Sequence, residues 1–262
     1  MRFSQVFILL ILFSIKTPVF ASQHSNIEQC SLRYAWNDWS PYMDASPTGA
    51  SGFQIDLVRW VAEELGCKLI YSEQNWADTL QGIKEGTIDF TGRASMTNER
   101  KSYALFSLPY RDEILVLYVR KGLASKLGNK GLKEILQAGY VLGLEKDVHY
   151  GDLVENLTQY RQLNKNIKYF REEELLVEAV VNNQIDVFFA SPFTIDNSRR
   201  QQSLYSQVEE YSVEIIIGQL HFMFSKKTVS DKLVKAFNRA LKAIAKSEKY
   251  RNHWYWRSIK SH

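Results

Sequence analysis

Neither the five histidines nor the two cysteines have the arrangement that catalysis at a metal or a nucleophile would need. The histidines are scattered without ligand spacing, and Cys30 and Cys67 cannot build a zinc site by themselves. No strand-turn-helix nucleophile elbow, phosphate loop or paired metal motif occurs. Side chains suited to recognition are present. Arg93 and Arg100 carry planar guanidinium forks, each able to donate two parallel hydrogen bonds to one carboxylate. Trp39 and Trp76 offer large faces suited to apolar or cationic groups.

The elements that must position these residues alternate. Ser31 to Trp36 starts as a strand, Ile55 to Leu65 is an apolar-faced helix stopped by Gly66, and Lys68 to Tyr71 is the next strand. Asp78 to Lys84 is helical, Gly86 ends it, and Thr87 to Thr91 is extended. A second alternation runs from the strand Ile114 to Val119 to the strand Ile185 to Ala190. The chain returns through Val213 to Ile217 and His221 to Phe224, then closes with the amphipathic helix Ser230 to Ala245 and a helix near Glu248 to Tyr255. This order implies mostly parallel sheets flanked by helices, in two α/β lobes with the second inserted into the first.

Composition sets further bounds. The 262 residues carry 33 Lys+Arg against 29 Asp+Glu, with 45% hydrophobic residues, as in an ordinary globular protein. Residues 1–21 read as a signal peptide, with Arg2, an apolar run from Val6 to Ile15 and small residues at Val19-Phe20-Ala21. The alternative is an uncleaved anchor, which so short a run disfavours. Cleavage after Ala21 predicts a periplasmic protein starting at about Ser22, with a net charge of +2, which gives no support to nucleic-acid binding. In such an oxidising compartment an even cysteine pair is a disulfide more often than two thiols. Cys30 and Cys67 sit at the starts of strands that neighbour each other in a parallel sheet, near enough to bridge. The residues before Cys30, Ile27-Glu28-Gln29, do not suit lipid attachment.

Five segments carry a resemblance, in order and at matching spacing. They are Leu32 through Asn37, Trp39 and Tyr42; Gly52-Phe53-Gln54-Ile55-Asp56-Leu57; Trp76 through Asp89; Ser95 through Arg100 with Phe106 to Tyr110; and Asn183 to Asp186 with the closing Tyr250 to Trp254. Together they resemble the extracellular solute-binding proteins of family 3, which capture polar amino acids for ABC importers. The resemblance implies the two-lobed type II periplasmic binding protein fold. Lobe 1 would comprise residues 27–111 and 219–262, lobe 2 residues 112–218, and two crossing segments, near Arg111–Ile114 and Val213–Gly218, would form the hinge. It implies a monomer that closes on a small ligand and hands it to a permease or membrane receptor, with neither cofactor, metal nor catalysis.

The same resemblance assigns site roles. Arg100, in the frame Ser-x-Thr-x-x-Arg, matches the clamp on the ligand carboxylate, and Ser95 the hydroxyl beside it. Their alternatives are a surface arginine paired with Glu99 or Asp89, and a serine satisfying its own loop. Trp39 and Trp76 match the aromatic rings that sandwich the ligand, the alternative being core packing; Asn37 lies in the same segment as Trp39. Three positions depart from the pattern. Ser191 stands where an Asp usually holds the ligand ammonium, and Arg93 stands where the family has a small residue. The turn Lys146-Asp147-Val148-His149 replaces a small-residue turn, and Asp147 would repel an anion or cap the following helix. A ligand anionic at one end and uncharged at the other fits these changes. The alternative is that Arg93 turns outward and Glu145, Asp147 or carbonyls take the ammonium. Two rival functions share the fold, a dehydratase-like enzyme acting on cyclohexadienyl acids with Glu145, Asp147 or His149 as acid, and a sensory binding module.

Overall fold

The computed structural model describes residues 30–47 and 49–252. The expected signal peptide, the Ser22 start and the end of the closing helix beyond residue 252 lie outside these.

Strand β1 (Ser31–Trp36) is followed by a hairpin of β2 (Asp44–Ser46) and β3 (Gly49–Ser51), which the sequence reading missed. The helix Phe53–Leu65 buries Ile55, Leu57, Val58 and Val61 on one face and ends at Gly66, whose left-handed backbone closes the last turn. Next come β4 (Lys68–Glu73), the helix Trp76–Glu85 and β5 (Phe90–Ser95). The strand expected over Thr87–Thr91 therefore starts three residues later. The Thr87 and Ile88 N–H groups still donate to the Gly82 carbonyl, at 3.0 and 3.2 Å, so they belong to the helix's closing turn. After the helix Asn98–Tyr103 come β6 (Ala104–Phe106) and the long β7 (Arg111–Arg120).

The inserted segment supplies β8 (Leu142–Glu145), β9 (Ile167–Phe170) and β10 (Val187–Ala190), with the helices Gly151–Gln159 and Glu173–Val181 between them. The chain returns along β11 (Val208–Ser225), an 18-residue strand where two were expected. Gly218, at φ +106°, takes up a bulge that the sequence reading treated as a break, and pairing with β7 continues on both sides of it. The helix Asp231–Ala245, capped by the Ser230 side chain, packs its apolar face on the first lobe.

All strands but the hairpin join one sheet, in the order β4-β1-β5-β11-β7-β10-β8-β9, with β6 paired to β11. Pairing is parallel among β4, β1 and β5 and among β10, β8 and β9, and antiparallel where β7 and β11 run between the two sets. The cores divide likewise. Tyr34, Ile55, Phe90, Phe222 and Phe237 are buried together on one side. Leu117, Leu136, Leu144 and Phe189 on the other form a separate cluster beside Leu176, Phe188 and Ile195. The expected crossing segment Arg111–Ile114 pairs with Ile216 to Leu220, Glu113 opposite Gly218 and Arg111 opposite Leu220, two residues beyond the expected end of its partner segment Val213–Gly218. A disulfide joins Cys30 to Cys67 across the β1–β4 edge, with Cα atoms 4.5 Å apart.

Candidate functional site

Between the two cores lies a cleft whose first wall is set by β5. Against β11, Ala94 pairs with His221 and Thr91 with Met223, so Gly92 and Arg93 together face the single residue Phe222. This bulge puts Arg93 at φ +48° and redirects its side chain. The Arg93 N–H donates to the buried Tyr110 hydroxyl (3.0 Å), which donates to Gln54 Oε1 (2.6 Å). A Cβ at Gly92 would sit 2.3 Å from Gln54 Nε2, so glycine is required there for that network to pack.

Arg93 does not turn outward. Its Cζ lies 4.9 Å from the Trp39 ring centre and 5.3 Å from that of Trp76. Its Nη2 is 3.3 Å from Glu145 Oε1 at the end of β8, and both side chains are under a tenth exposed. The Glu145 N–H donates to the Tyr150 hydroxyl (2.9 Å), which fixes the end of that strand.

Arg100 sits in the first turn of Asn98–Tyr103, where the Thr97 hydroxyl accepts its N–H (3.2 Å). Thus the Ser-x-Thr-x-x-Arg frame is a helix cap that aims a guanidinium. Buried to 5% exposure, Arg100 donates to the Ser95 carbonyl (3.0 Å) and across the cleft to the Asp147 carbonyl (2.8 Å), with Cζ 5.2 Å from the Trp76 ring. Desolvation, chiefly, pulls its pKa below the ordinary guanidinium value. Its alternative partner Asp89 is engaged by Arg33. Trp76 opens its helix behind the Asn75 cap, and its indole N–H donates to the same Asp147 carbonyl (3.0 Å).

A cavity of about 50 Å³ remains between the walls, lined by Trp39, Trp76, Arg93, Ser95 and Arg100 and by Glu113, Glu145 and Glu173, among others. Burial raises the pKa of all three carboxyls, and the nearby arginines oppose it in part. The Glu173 carboxyl is pushed up to about 8, by desolvation first and by Glu145 second.

Five of the seven expected site residues therefore converge. The other two do not line this cavity. Asn37 lines a wider adjoining cavity of about 570 Å³, together with Asp38, Glu73 and Glu174. Ser191 is buried as the residue before the helix Pro192–Arg199, with its hydroxyl bonded to Tyr42. Carboxyl groups reach the cleft from other elements instead, from Glu113, Glu145 and Glu173. Of these three, sequence reading weighed Glu145 for holding the ligand ammonium, beside Asp147 and backbone carbonyls. Asp147 neither caps the following helix nor lines this cavity; held at φ +63°, it contributes its carbonyl. Glu173 opens the helix Glu173–Val181 beside Glu174, and that acidic start is the signal that could have found it.

Two α/β lobes joined by paired crossing strands, with an arginine and two tryptophans facing a closing cleft, define a solute-binding protein of the periplasmic type. The chain belongs to the bacterial extracellular solute-binding proteins, family 3, whose model matches residues 32–255. It is 26% identical over 207 residues to a probable histidine-binding protein of Campylobacter jejuni, covering 78% of this chain and 75% of that one. Over 87 residues, 32% of each chain, it is 30% identical to a cyclohexadienyl dehydratase of Pseudomonas aeruginosa. An ancestral arginine-binding protein bound to arginine has the same fold, with a TM-score of 0.72 at 20% identity, over 86% of this chain and 96% of that one.

Proposed function

We propose that this protein captures a small carboxylate-bearing solute, an amino acid or related organic acid, between its lobes. It delivers the solute in the periplasm to the permease of an ABC importer, acting as a monomer and without turnover. The observation that carries this reading is Arg100, buried at the seam of the lobes with Ser95 beside it and guanidinium donors left over after its two carbonyl contacts. In this reading residues 27–111 and 219–262 make one lobe and 112–218 the other, with the hinge at Arg111–Ile114 and Val213–Gly218, where β7 pairs with β11. A thermal-shift screen with amino acids, their deaminated acids, dicarboxylates and amines tests this. A true ligand at a hundredfold excess over Kd raises stability by about 2.7 kcal/mol, and no response from any carboxylate would refute the reading.

One observation favours a second reading, an enzyme resembling the cyclohexadienyl dehydratase. With its pKa near 8, the Glu173 carboxyl holds its proton at neutral pH, as a general acid must. Incubation with a cyclohexadienyl acid decides between the two: product formation that Glu173→Gln abolishes establishes the enzyme, and binding without product establishes the carrier.

A further inference from the structure

The tryptophan wall of the cleft already holds a cation, and the protein supplies it. The Arg93 guanidinium is within attractive distance of both the Trp39 and Trp76 rings, at 4.9 and 5.3 Å, and pairs with Glu145 at 3.3 Å. A ligand bearing a guanidinium or ammonium side chain would seek these same partners, aromatic faces and a desolvated carboxylate. Each is already engaged, and the space enclosed between both tryptophans and the two arginines is about 50 Å³, beside a wider cavity of about 570 Å³ that Trp39, Arg93 and Glu145 also line.

We propose that Arg93 is the specificity-determining residue of the cleft, a resident guanidinium that fills the two-tryptophan cage and excludes ligands with cationic side chains. The inference rests on the cleft being the ligand site. Arg93 is held there by covalent geometry as well as charge. The β5 bulge, the left-handed backbone at φ +48° and the Tyr110 contact all aim it inward. A ligand cation could replace it charge for charge at Glu145. It would do so as a free molecule competing with a tethered one, giving up translational freedom that Arg93 has already lost. Vacating the cage without a replacement would strand Glu145 as an unpaired carboxylate at 7% exposure. Arg100 makes its contacts beside the cage with no help from Arg93, which leaves carboxylate selection to it.

The test compares wild type with Arg93→Gly, since glycine accepts the positive φ, and with Arg93→Ala. L-Arginine and its uncharged isostere L-citrulline are titrated calorimetrically, and methylguanidinium is titrated by tryptophan fluorescence. In wild type, arginine should show no preference over citrulline and methylguanidinium no saturable response. In Arg93→Gly, methylguanidinium should bind, and arginine should bind at least about tenfold more tightly than citrulline. The double variant Arg93→Gly with Glu145→Gln should lose that preference. A tenfold preference for arginine in wild type overturns the inference, and this comparison needs no variant to fold. So does an Arg93→Gly protein that gains neither arginine nor methylguanidinium. If methylguanidinium binds Arg93→Gly alone while no carboxylate solute binds either protein, the solute-capture reading fails and the cage inference stands.

Discussion

The wall built from residues before Arg111 presents Trp39, Trp76, Arg93 and Arg100, while the wall built from the inserted segment presents Glu145, Glu173 and the Asp147 carbonyl. One side is cationic and aromatic; the other accepts hydrogen bonds and carries negative charge. Among the contacts that cross between them are Arg93 to Glu145 at 3.3 Å, Arg100 to the Asp147 carbonyl at 2.8 Å, and the Trp76 indole to the same carbonyl at 3.0 Å. The walls therefore complement each other, and a solute competes with contacts they already make. Its advantage must come from Arg100, whose partners are neutral carbonyls that a carboxylate outbids, rather than from Arg93, whose partner is itself a carboxylate.

Breaking the charged contact should have the largest effect. Glu145→Ala leaves the Arg93 guanidinium unpaired in a site where its side chain is only 9% exposed. Removing one member of a buried pair costs about 3–5 kcal/mol, which urea denaturation would read as a lower midpoint. Removing Arg93 as well should restore part of that stability, and a double variant no better than Glu145→Ala would show that the pair is not coupled. Breaking the neutral contact acts on binding instead. Arg100→Ala forfeits charge-assisted hydrogen bonds of about 1.5–3 kcal/mol each, so affinity for the carboxylate solute should fall at least about 100-fold while circular dichroism stays unchanged. A variant that binds as wild type does would remove Arg100 from the site.

The contrast between the walls also marks what the sequence makes legible. Alternating strands and helices, the glycine stop at Gly66 and the cysteines at two strand starts are local signals, and the fold follows them. Arg100 was readable because its frame is local too, a threonine cap three residues before the side chain it aims. Arg93 was visible as a departure, but its direction depends on a bulge opposite Phe222, about 130 residues away in the chain, which no spacing within β5 encodes. Likewise Ser191 suggested a missing negative charge because counting along one strand cannot reveal that Glu113, Glu145 and Glu173 reach the same cavity from other elements.

The smallest expected effect is on pH dependence, and it belongs to the carboxylate wall alone. Glu173 titrates near 8 in the folded protein against an ordinary 4.5, because burial and the neighbouring Glu145 both disfavour its charged form. Between those values the folded state holds a proton that the unfolded state has released. Stability from this group is therefore fully present below about pH 4.5 and is lost as pH rises through about 8. Urea midpoints of wild type and Glu173→Gln at steps from pH 5 to 8 isolate the contribution of this carboxyl. The variant should lose less stability than wild type over that range. Parallel profiles would mean that Glu173 is already ionised in the folded cleft, which would also remove the acid that the enzymatic reading requires.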